Sequence, residues 1–218
     1  MSSRGAFIVF EGTDRCGKTT QVQKLLEHLG QAGVSAEMVR FPDRSLPSGQ
    51  IINQYLAKEI EMDDKEVHQL FSKNRWERRQ EMLSKLRAGT TLVVDRYAYS
   101  GVAYSAAKGL PGLDVPFCKA CDEGLLAPDK VLYLKVSIES SAARGGFGQE
   151  RYEVPEMQSR VQAFFEQLHD PSWVDIQADA SIEAVHNQIW AEVVPVLEKA
   201  KEGAPLTKLW GGQPIGDE

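Results

Sequence analysis

Residues 12–19 have the types and the spacing of a loop that binds phosphate. The run Gly12-Thr13-Asp14-Arg15-Cys16-Gly17-Lys18-Thr19 matches the pattern G-x-x-x-x-G-K-[ST]. Its glycines let consecutive backbone N–H groups point at one anion, and the helix predicted to follow adds unpaired N–H groups at its positive end. Lys18 is expected to reach the outer phosphates of a nucleoside triphosphate, and the Thr19 hydroxyl to ligate Mg²⁺. The pattern therefore predicts that the loop binds the phosphates of a nucleotide.

Arginines recur at the predicted carboxyl ends of strands, the edge at which open α/β sheets bind their ligands. One predicted strand leads into Phe41-Pro42-Asp43-Arg44 and the next into Asp95-Arg96-Tyr97. Arg15 lies in the loop, and Arg144 and Arg151 flank a glycine-rich segment. We expect these guanidinium groups to converge on one crevice. Fork-shaped donors at that density suit a second phosphorylated substrate beside the triphosphate.

Short apolar runs alternate with longer helical patterns along the chain. Strands are predicted at 6–10, 36–41, 90–95, 130–136 and 173–177. Helices are predicted at 17–30, 48–58, 65–87, 98–108, 115–124, 138–144, 155–169 and 181–200. Strands that are apolar almost throughout and are separated by helices indicate a parallel sheet buried on both faces.

This order of elements predicts an α/β fold of the P-loop NTPase class, with a five-stranded parallel sheet and helices on both faces. The 218 residues are expected to form a single domain. The glycine-rich segment at about 145–153 is predicted to be a short lid, and the tail at about 211–218 to be frayed. Gly30, Gly33 and Gly89 fall where helices are expected to end.

Bulk composition narrows the class of protein. A net charge of -6 and a pI near 5.4 argue against nucleic acid as the main partner. No apolar run is long enough to span a bilayer, and the short segment before the first predicted strand leaves no room for a signal peptide. We therefore expect no membrane association, and a cytoplasmic location with the nucleus as an alternative.

The three cysteines do not predict a disulfide framework. Cys118 and Cys121 form a C-x-x-C, but a zinc site needs a second pair or nearby histidines, and the sequence places none beside them. We interpret them as two helix-borne thiols. For Cys16, a redox role and a small residue filling the loop are both open, and the second is favoured.

The residues alone are compatible with several classes of nucleotide-binding protein. The sequence contains no N-K-x-D motif for reading guanine, which argues against a GTPase. Another small-metabolite kinase, such as one for uridylate or cytidylate, remains an alternative, and so does a non-catalytic nucleotide-binding regulator. The joint presence of Lys18, Thr19, Asp95 and Arg15 favours an enzyme.

Together these motifs resemble those of thymidylate kinases. The resemblance rests on the loop with its Asp14-Arg15 pair, on Phe41-Pro42-Asp43-Arg44, on Asp95-Arg96-Tyr97 and on the late run Gly148-Gln149-Glu150-Arg151-Tyr152. It extends from Gly5 to about Trp210. The subtype resembled carries its catalytic arginine in the phosphate-binding loop rather than in the lid.

The resemblance implies a role for each matching residue. Arg15, Lys18, Arg96 and Asp95 would be catalytic, with Thr19 and Asp95 serving Mg²⁺, partly through water. The ATP site would comprise Gly12, Thr13, Asp14, Arg15, Cys16, Gly17, Lys18, Thr19 and Thr20, with Arg144, Ala180, Ser181 and Ile182 around the adenine. The lid would contain Gly148, Gln149, Glu150 and Arg151.

The resemblance also implies an acceptor site and partners. Thymidine monophosphate (dTMP) would be bound by Asp14, Phe41, Arg44, Leu56, Phe71, Arg75, Arg96, Gly101, Tyr104 and Tyr152. Phe71 would stack on thymine, Arg75 would bind its edge, and Arg44 and Arg96 would grip the acceptor phosphate. The implied reaction converts ATP and dTMP to ADP and dTDP, a step in dTTP biosynthesis. The implied partners are these small molecules and a second copy of the chain in a homodimer.

Spacing alone supports part of the acceptor site. Val67, Phe71, Arg75 and Arg78 recur at helical intervals, so one face of a helix carries them. A ring to lie on a base and a donor to touch its edge would then come from one rigid element. Without the other motifs, the apolar residues would be interpreted as core and the arginines as solvated. His28, His68, His169 and His186 are interpreted as helix-surface residues, so no catalytic histidine is expected.

Overall fold

The computed structural model describes residues 3–137, 140–141 and 150–216. Its strands are β1 (Phe7–Glu11), β2 (Ala36–Arg40), β3 (Thr91–Asp95), β4 (Lys130–Lys135) and β5 (Trp173–Gln177). Its helices are α1 (Lys18–Gln31), α2 (Pro47–Leu56), α3 (Asp64–Arg87), α4 (Ala98–Ala106), α5 (Val115–Ala120), α6 (Pro155–Leu168) and α7 (Ile182–Lys201).

The strands form one five-stranded sheet in the order β2-β3-β1-β4-β5. Every neighbouring pair is parallel. The central strand β1 has five buried residues, as expected for a strand covered on both faces. The predicted fold class is therefore confirmed. The chain reverses its strand order beside β1, and this is the place where open parallel sheets form a ligand crevice.

Alternate residues of β1 belong to two different cores. Phe7 and Val9 pack with Leu83, Tyr133 and Phe165 in the core that includes residues of α3, α4 and α6. Ile8 and Phe10 pack in a second core with residues of α1 and α7. This division follows from the two-residue period of a strand, whose side chains point to opposite faces in turn. The sheet thus holds β1, and the loop after it, rigidly between two layers of helices.

A third, smaller cluster joins α2 to the start of α3. It contains Ile52, Tyr55, Leu56 and Val67, all buried. The segment after β2 is fastened to α3 by Asn74, whose side chain accepts from the N–H of Asp43 at 2.7 Å and donates to its carbonyl at 3.1 Å. This double contact fixes the loop that carries Arg44 beside the helix that carries Phe71.

Most predicted elements agree with the structure to within two residues, and the exceptions have local causes. The predicted helix at 115–124 ends at Ala120, and Gly124 then adopts φ 91°. Gly30 lies inside α1, whereas Gly33 follows the helix end with φ 71°. Residues 138–139 and 142–144 of the helix predicted at 138–144 lie outside the described residues.

The predicted fraying of the tail is wrong for residues 211–216. The N–H of Lys208 donates to Gln213 O at 2.8 Å, and the N–H of Ile215 donates to Leu206 O at 2.8 Å. Ile215 also packs against the large core beside α3, α4 and α6. The turn allowed by Gly212, at φ 64°, brings the chain back onto its own preceding segment.

None of the helices in the described part of the chain combines the length and the apolar character needed to cross a membrane.

Candidate active site

The phosphate-binding loop joins β1 to α1, and its backbone conformation requires glycine at two positions. Gly17 precedes α1 with φ 99°, in the left-handed region. Gly12 has φ 147°, and a Cβ there would lie 2.7 Å from Cys16 Sγ and 2.8 Å from Leu134 O. Cys16 is buried in the loop, as a filling residue would be. Lys18 Nζ donates to Thr13 O at 2.7 Å and to Gly12 O at 3.1 Å, so the ammonium group lies over the loop.

A buried carboxylate beneath the loop fixes the start of α4. Glu11 Oε1 accepts from the N–H groups of Tyr97 at 2.9 Å and of Ser100 at 3.1 Å. Its Oε2 accepts from the Ser100 hydroxyl at 2.5 Å. Burial raises the pKa of Glu11, although these hydrogen bonds and the nearby charge of Arg96 oppose the rise. The carboxyl group thereby satisfies N–H groups that a helix start otherwise leaves unpaired.

Arg96 reaches from β3 to the phosphate-binding loop. Its Nη1 donates to Gly12 O at 3.0 Å and to Ser100 Oγ at 3.1 Å, and its Nη2 forms a salt bridge with Asp14. The residue adopts φ 67°, a conformation that costs energy outside glycine and is concentrated at functional sites. Arg96 is therefore held in one place by the loop and by α4.

Asp14 lies at the centre of a polar network. Tyr104 OH donates to its Oδ2 at 2.9 Å, and Gln158 Nε2 donates to the same oxygen at 2.7 Å. Burial by itself raises the pKa of Asp14, but the charges of Arg96 and Lys18, together with these hydrogen bonds, hold the pKa below its usual value. The carboxylate is thus ionised at neutral pH and can accept a further hydrogen bond from a ligand hydroxyl.

Gln158 connects this network to residues 150–153, the described end of the predicted lid. Its side-chain Oε1 accepts from the Asp14 N–H at 2.9 Å, and its Nε2 donates to Tyr152 O at 2.8 Å. The ring of Tyr152 packs near Tyr104 and Tyr55, with ring centroids 5.6 Å and 6.3 Å away. Loop, α4 and the 150–153 segment are therefore tied together by one buried amide.

A second polar centre lies on α3, away from the loop. Arg75 forms a bidentate ion pair with Asp122, through Nε at 3.1 Å and Nη2 at 2.6 Å. Their side chains are 2% and 0% exposed. Gly101 makes room for this guanidinium, since a Cβ there would lie 2.7 Å from Arg75 Nη2. Phe71, one turn earlier on α3, is half-buried and lines the same crevice.

Two further ion pairs hold the 150–153 segment at the crevice. Arg15 contacts Glu153 at 3.1 Å, and Arg44 contacts Glu150 at 2.7 Å. Both pairs lie at the crevice wall. Arg44 and Glu150 are each nearly half exposed, so their pair contributes little stability and can be exchanged for a ligand.

Loop, helices and lid-side residues enclose a crevice of about 1400 Å³. Its lining includes residues of the phosphate-binding loop, of the segment 178–185 and of α2, α3 and α4, with several arginines among them. It can therefore align two phosphate chains for direct transfer.

Comparison with known proteins agrees with this geometry. A family model described as thymidylate kinase matches residues 10–189. The chain is 51% identical over 207 residues to thymidylate kinase of Arabidopsis thaliana, covering 95% of this chain and 78% of the relative. It is 47% identical over 210 residues to the Homo sapiens enzyme, covering 95% and 98%. The chain belongs to the thymidylate kinase family.

A solved structure agrees as well. The thymidylate kinase of Candida albicans superposes with a TM-score of 0.86 at 33% identity, covering 96% of this chain and 100% of that one. The family membership predicted from the motifs is confirmed. The residue roles implied by that resemblance remain predictions.

Most of the residues assigned from the thymidylate kinase resemblance line the one crevice. They are Asp14, Arg15, Cys16, Gly17, Lys18, Thr19, Thr20, Phe41, Arg44, Leu56, Phe71, Arg75, Asp95, Arg96, Gly101, Tyr104, Glu150, Tyr152, Ala180 and Ile182. Gly12 and Thr13 are buried in the loop behind it, and Ser181 caps α7 by accepting from Ala184 N at 3.2 Å. Arg144, Gly148 and Gln149 lie outside the described residues.

The expectation that Arg151 converges on this crevice is wrong. Its guanidinium pairs with Glu61 at 2.8 Å, donates to Tyr55 O at 2.9 Å, and lies over the Tyr55 ring. Tyr55 lies on α2 and Glu61 follows it, so the side chain of Arg151 points toward α2 and away from the crevice. Arg151 therefore anchors the segment that carries Glu150 and Tyr152.

Two histidines also depart from expectation. His68 is fully buried, and His186 is 7% exposed, so neither is a surface residue. His68 Nε2 contacts Cys118 O at 3.1 Å and its Nδ1 contacts Ser105 Oγ at 2.7 Å. Because a carbonyl can only accept, Nε2 carries the proton and Nδ1 accepts from the hydroxyl. His68 thus ties α3 to α4 and α5.

Sequence reasoning missed several residues at the site. These are Glu11, Arg40, Ser100, Asp122, Glu153 and Gln158. A signal existed for Glu11, because a carboxylate at the end of a buried strand requires a partner. Asp122 and Gln158 carried no such signal, since their partners Arg75 and Asp14 are 47 and 144 residues away in the sequence.

Proposed function

We propose that this protein transfers the terminal phosphoryl group of ATP to dTMP, giving ADP and dTDP as a step in dTTP biosynthesis. The observation that carries the proposal is the shared crevice. The phosphate-binding loop lines it together with Phe71 and the buried Arg75. A triphosphate on the loop and a base at Phe71 would place two phosphate groups between them.

The acceptor phosphate needs no general base, because it is already an oxyanion. None of the four histidines in the sequence is among the residues that line the described crevice. Catalysis then depends on alignment and on positive charge where the transition state spreads negative charge. Arg15, Lys18 and Arg96 would supply that charge.

Arg15 would stabilise the transferring group from within the loop. It adopts φ 61°, which turns the loop backbone at this residue, and Glu153 restrains its guanidinium. Arg96 and Arg44 would hold the acceptor phosphate. Arg44 would exchange its contact with Glu150 for that phosphate, since both side chains of the present pair are nearly half exposed.

The acceptor nucleoside would be read by three groups. Phe71 offers a ring face to the thymine, and Arg75 offers donors to its edge because Asp122 fixes the guanidinium. Asp14 would accept from the 3′-hydroxyl of the sugar, beside Tyr104 and Tyr152. The residues Phe41, Leu56 and Gly101 would complete the walls.

Mg²⁺ fits the oxygens that the chain offers. Thr19 Oγ1 donates to Asp95 Oδ2 at 3.1 Å, and hydroxyl and carboxylate oxygens are the ligands that Mg²⁺ prefers. The ion would supply positive charge that offsets the charge of the donor phosphates. Thr19 would bind it directly, and Asp95 directly or through water.

The remaining assignments extend the proposal to the rest of the chain. Gly12 to Thr20 would cradle the donor phosphates, and Ala180, Ser181 and Ile182 would face the adenine, together with Arg144. We infer one domain over residues 1–218 with a lid at 145–153. We also infer a homodimer, free of nucleic acid and membrane partners, in the cytoplasm or nucleus.

The test is product identification. Purified protein would be incubated with ATP, Mg²⁺ and dTMP, and the nucleotides followed by ³¹P NMR. One dTDP per ADP is expected, and none when dTMP is omitted. ATP hydrolysis without dTDP would reject the proposal, and nucleotide binding without turnover would favour a regulator.

A further inference from the structure

The side chain of Arg40 contacts both residues that are proposed to bind Mg²⁺, Thr19 and Asp95. Arg40 ends β2, and the parallel register pairs it with Asp95 of β3. Its Nε and Nη2 donate to Asp95 Oδ2 at 3.2 Å and 2.8 Å, and the same Nη2 donates to Thr19 Oγ1 at 2.8 Å. The Thr19 hydroxyl donates to this carboxylate oxygen as well, at 3.1 Å. Guanidinium, hydroxyl and carboxylate thus form a closed triangle.

The side chains of Asp95 and Arg40 differ in their exposure to solvent. The Asp95 side chain is 6% exposed, whereas that of Arg40 is 49% exposed. A buried carboxylate needs a positive or hydrogen-bonding partner. A half-exposed arginine, by contrast, loses little when it returns to water, because such pairs contribute about 0–1 kcal/mol. Asp95 therefore needs a partner for its buried charge, and another cation can take the place of Arg40 as that partner.

Arg40 and a metal ion compete for the same oxygens. Mg²⁺ binds oxygen ligands at about 2.0–2.1 Å in a nearly octahedral shell. An ion bound directly to Thr19 Oγ1 would therefore displace the Arg40 guanidinium that donates to this atom. Free Mg²⁺ brings only its own charge, whereas Mg²⁺ on a triphosphate is held additionally by the loop. We infer that Arg40 is an exchangeable counter-ion of the metal site, which excludes free divalent cations and gives way to the metal–nucleotide complex.

This inference rests on the proposed Mg²⁺ site but not on the identity of the acceptor. Arg40 acts here as a positioning residue. Before the metal arrives it neutralises Asp95 and holds it against Thr19, so that the ligand pair is preformed. Once displaced, its side chain has open solvent beside the crevice. Removing Arg40 should therefore strengthen binding of the bare metal.

The test uses Mn²⁺ alone as a probe for Mg²⁺, with free Mn²⁺ measured by electron paramagnetic resonance. Arg40→Gln is compared with the wild type and with Arg78→Gln. Arg78 lines the same crevice but pairs with Asp43 and Glu81, so its variant removes an equal charge without touching Thr19 or Asp95. Far-UV circular dichroism checks that each variant is folded.

We expect Arg40→Gln to bind bare Mn²⁺ about two- to five-fold more tightly than the wild type, a range set by the modest strength of exposed pairs. Arg78→Gln should change the affinity less than two-fold. Equal affinity in Arg40→Gln and the wild type, or binding too weak to detect in either, would overturn the inference. So would an equal gain in both variants, because long-range charge would then explain it.

A second measurement tests the proposed metal site independently of the role of Arg40. With ATP present, Asp95→Asn should weaken Mn²⁺ binding in both the wild-type and the Arg40→Gln background. If it does so while Arg40→Gln leaves bare Mn²⁺ affinity unchanged, only the role of Arg40 fails. If Asp95→Asn has no effect with ATP, the proposed metal site fails and the inference fails with it.

Discussion

Arg75 and Asp122 form a bidentate ion pair whose side chains are 2% and 0% exposed. A buried pair of this kind is weak evidence for stability, because desolvation offsets much of the attraction. Its value here is geometric. Asp122 holds two of the guanidinium nitrogens, so that the face toward Gly101 and the crevice keeps a fixed direction. The proposed base-reading donor is therefore aligned before the substrate binds.

Asp122→Asn should weaken dTMP binding without impairing the donor site. The variant keeps one acceptor for Arg75 but loses one charge-assisted contact, worth about 1.5–3 kcal/mol. We expect the KM for dTMP to rise about ten- to a hundred-fold, with the KM for ATP within two-fold of the wild type. Steady-state kinetics in both substrates would measure this. A parallel rise in both constants would indicate general disruption instead.

Gly101→Ala should also weaken dTMP binding, because residue 101 contacts the guanidinium of Arg75. The added Cβ would lie 2.7 Å from Nη2 and 3.1 Å from Cζ of a guanidinium that is buried and cannot move away freely. We expect a higher KM for dTMP and reduced thermal stability. Gly30→Ala is the matched control, because no atom lies within 4 Å of a Cβ at that helical position. Normal dTMP affinity in Gly101→Ala would contradict this placement of Arg75.

Arg15→Ala should separate binding from chemistry. An arginine that stabilises the transferring phosphoryl group is worth about 10³–10⁵ in rate in related P-loop enzymes. We expect kcat to fall by orders of magnitude, while ATP binding measured by calorimetry persists through Lys18 and the loop backbone. A variant with near-normal kcat would refute the role given to Arg15.

His68 predicts a dependence of stability on pH. Burial, with added repulsion from Arg75, lowers the pKa of His68 below its usual 6.5. The unfolded chain then binds more protons than the folded one between the folded pKa and 6.5, so the free energy of unfolding decreases as pH falls through this range. His68→Gln should make that decrease shallower between pH 7 and pH 5, as measured by urea unfolding. Parallel pH profiles would count against a buried neutral His68.

The sequence predicted the fold and most of the crevice because both depend on local signals. Apolar runs placed β1 and β3 within one residue of their observed bounds, and the parallel arrangement brought the residues after each strand to one edge. Phe71 and Arg75 share a helix face through spacing alone. These inferences needed no knowledge of which distant segments meet.

Other features depended on contacts between distant segments and could not be predicted. Arg151 belongs to the predicted lid in sequence, yet its side chain pairs with Glu61 and Tyr55 instead of lining the crevice. Arg40 acquires its position only when β2 pairs with β3 in register with Asp95. The tail was expected to fray because it is polar and glycine-rich, and Ile215 nevertheless anchors it to the core.

The choice of acceptor is the central claim, and a competition assay tests it most directly. Equal concentrations of dTMP, dUMP, UMP, CMP and AMP would be supplied together with ATP and Mg²⁺, and the diphosphates quantified at low conversion. We expect dTDP to dominate, with dUDP a detectable second product, because one methyl group is worth only about 1–3 kcal/mol. Cytosine and adenine products should be far scarcer, since their edges leave Arg75 unpaired in a closed site. Each transfer also releases one ADP from ATP, so phosphorylation of AMP would appear as ADP in excess of the other diphosphates together. CDP as the main product, or a large excess of ADP, would contradict the account.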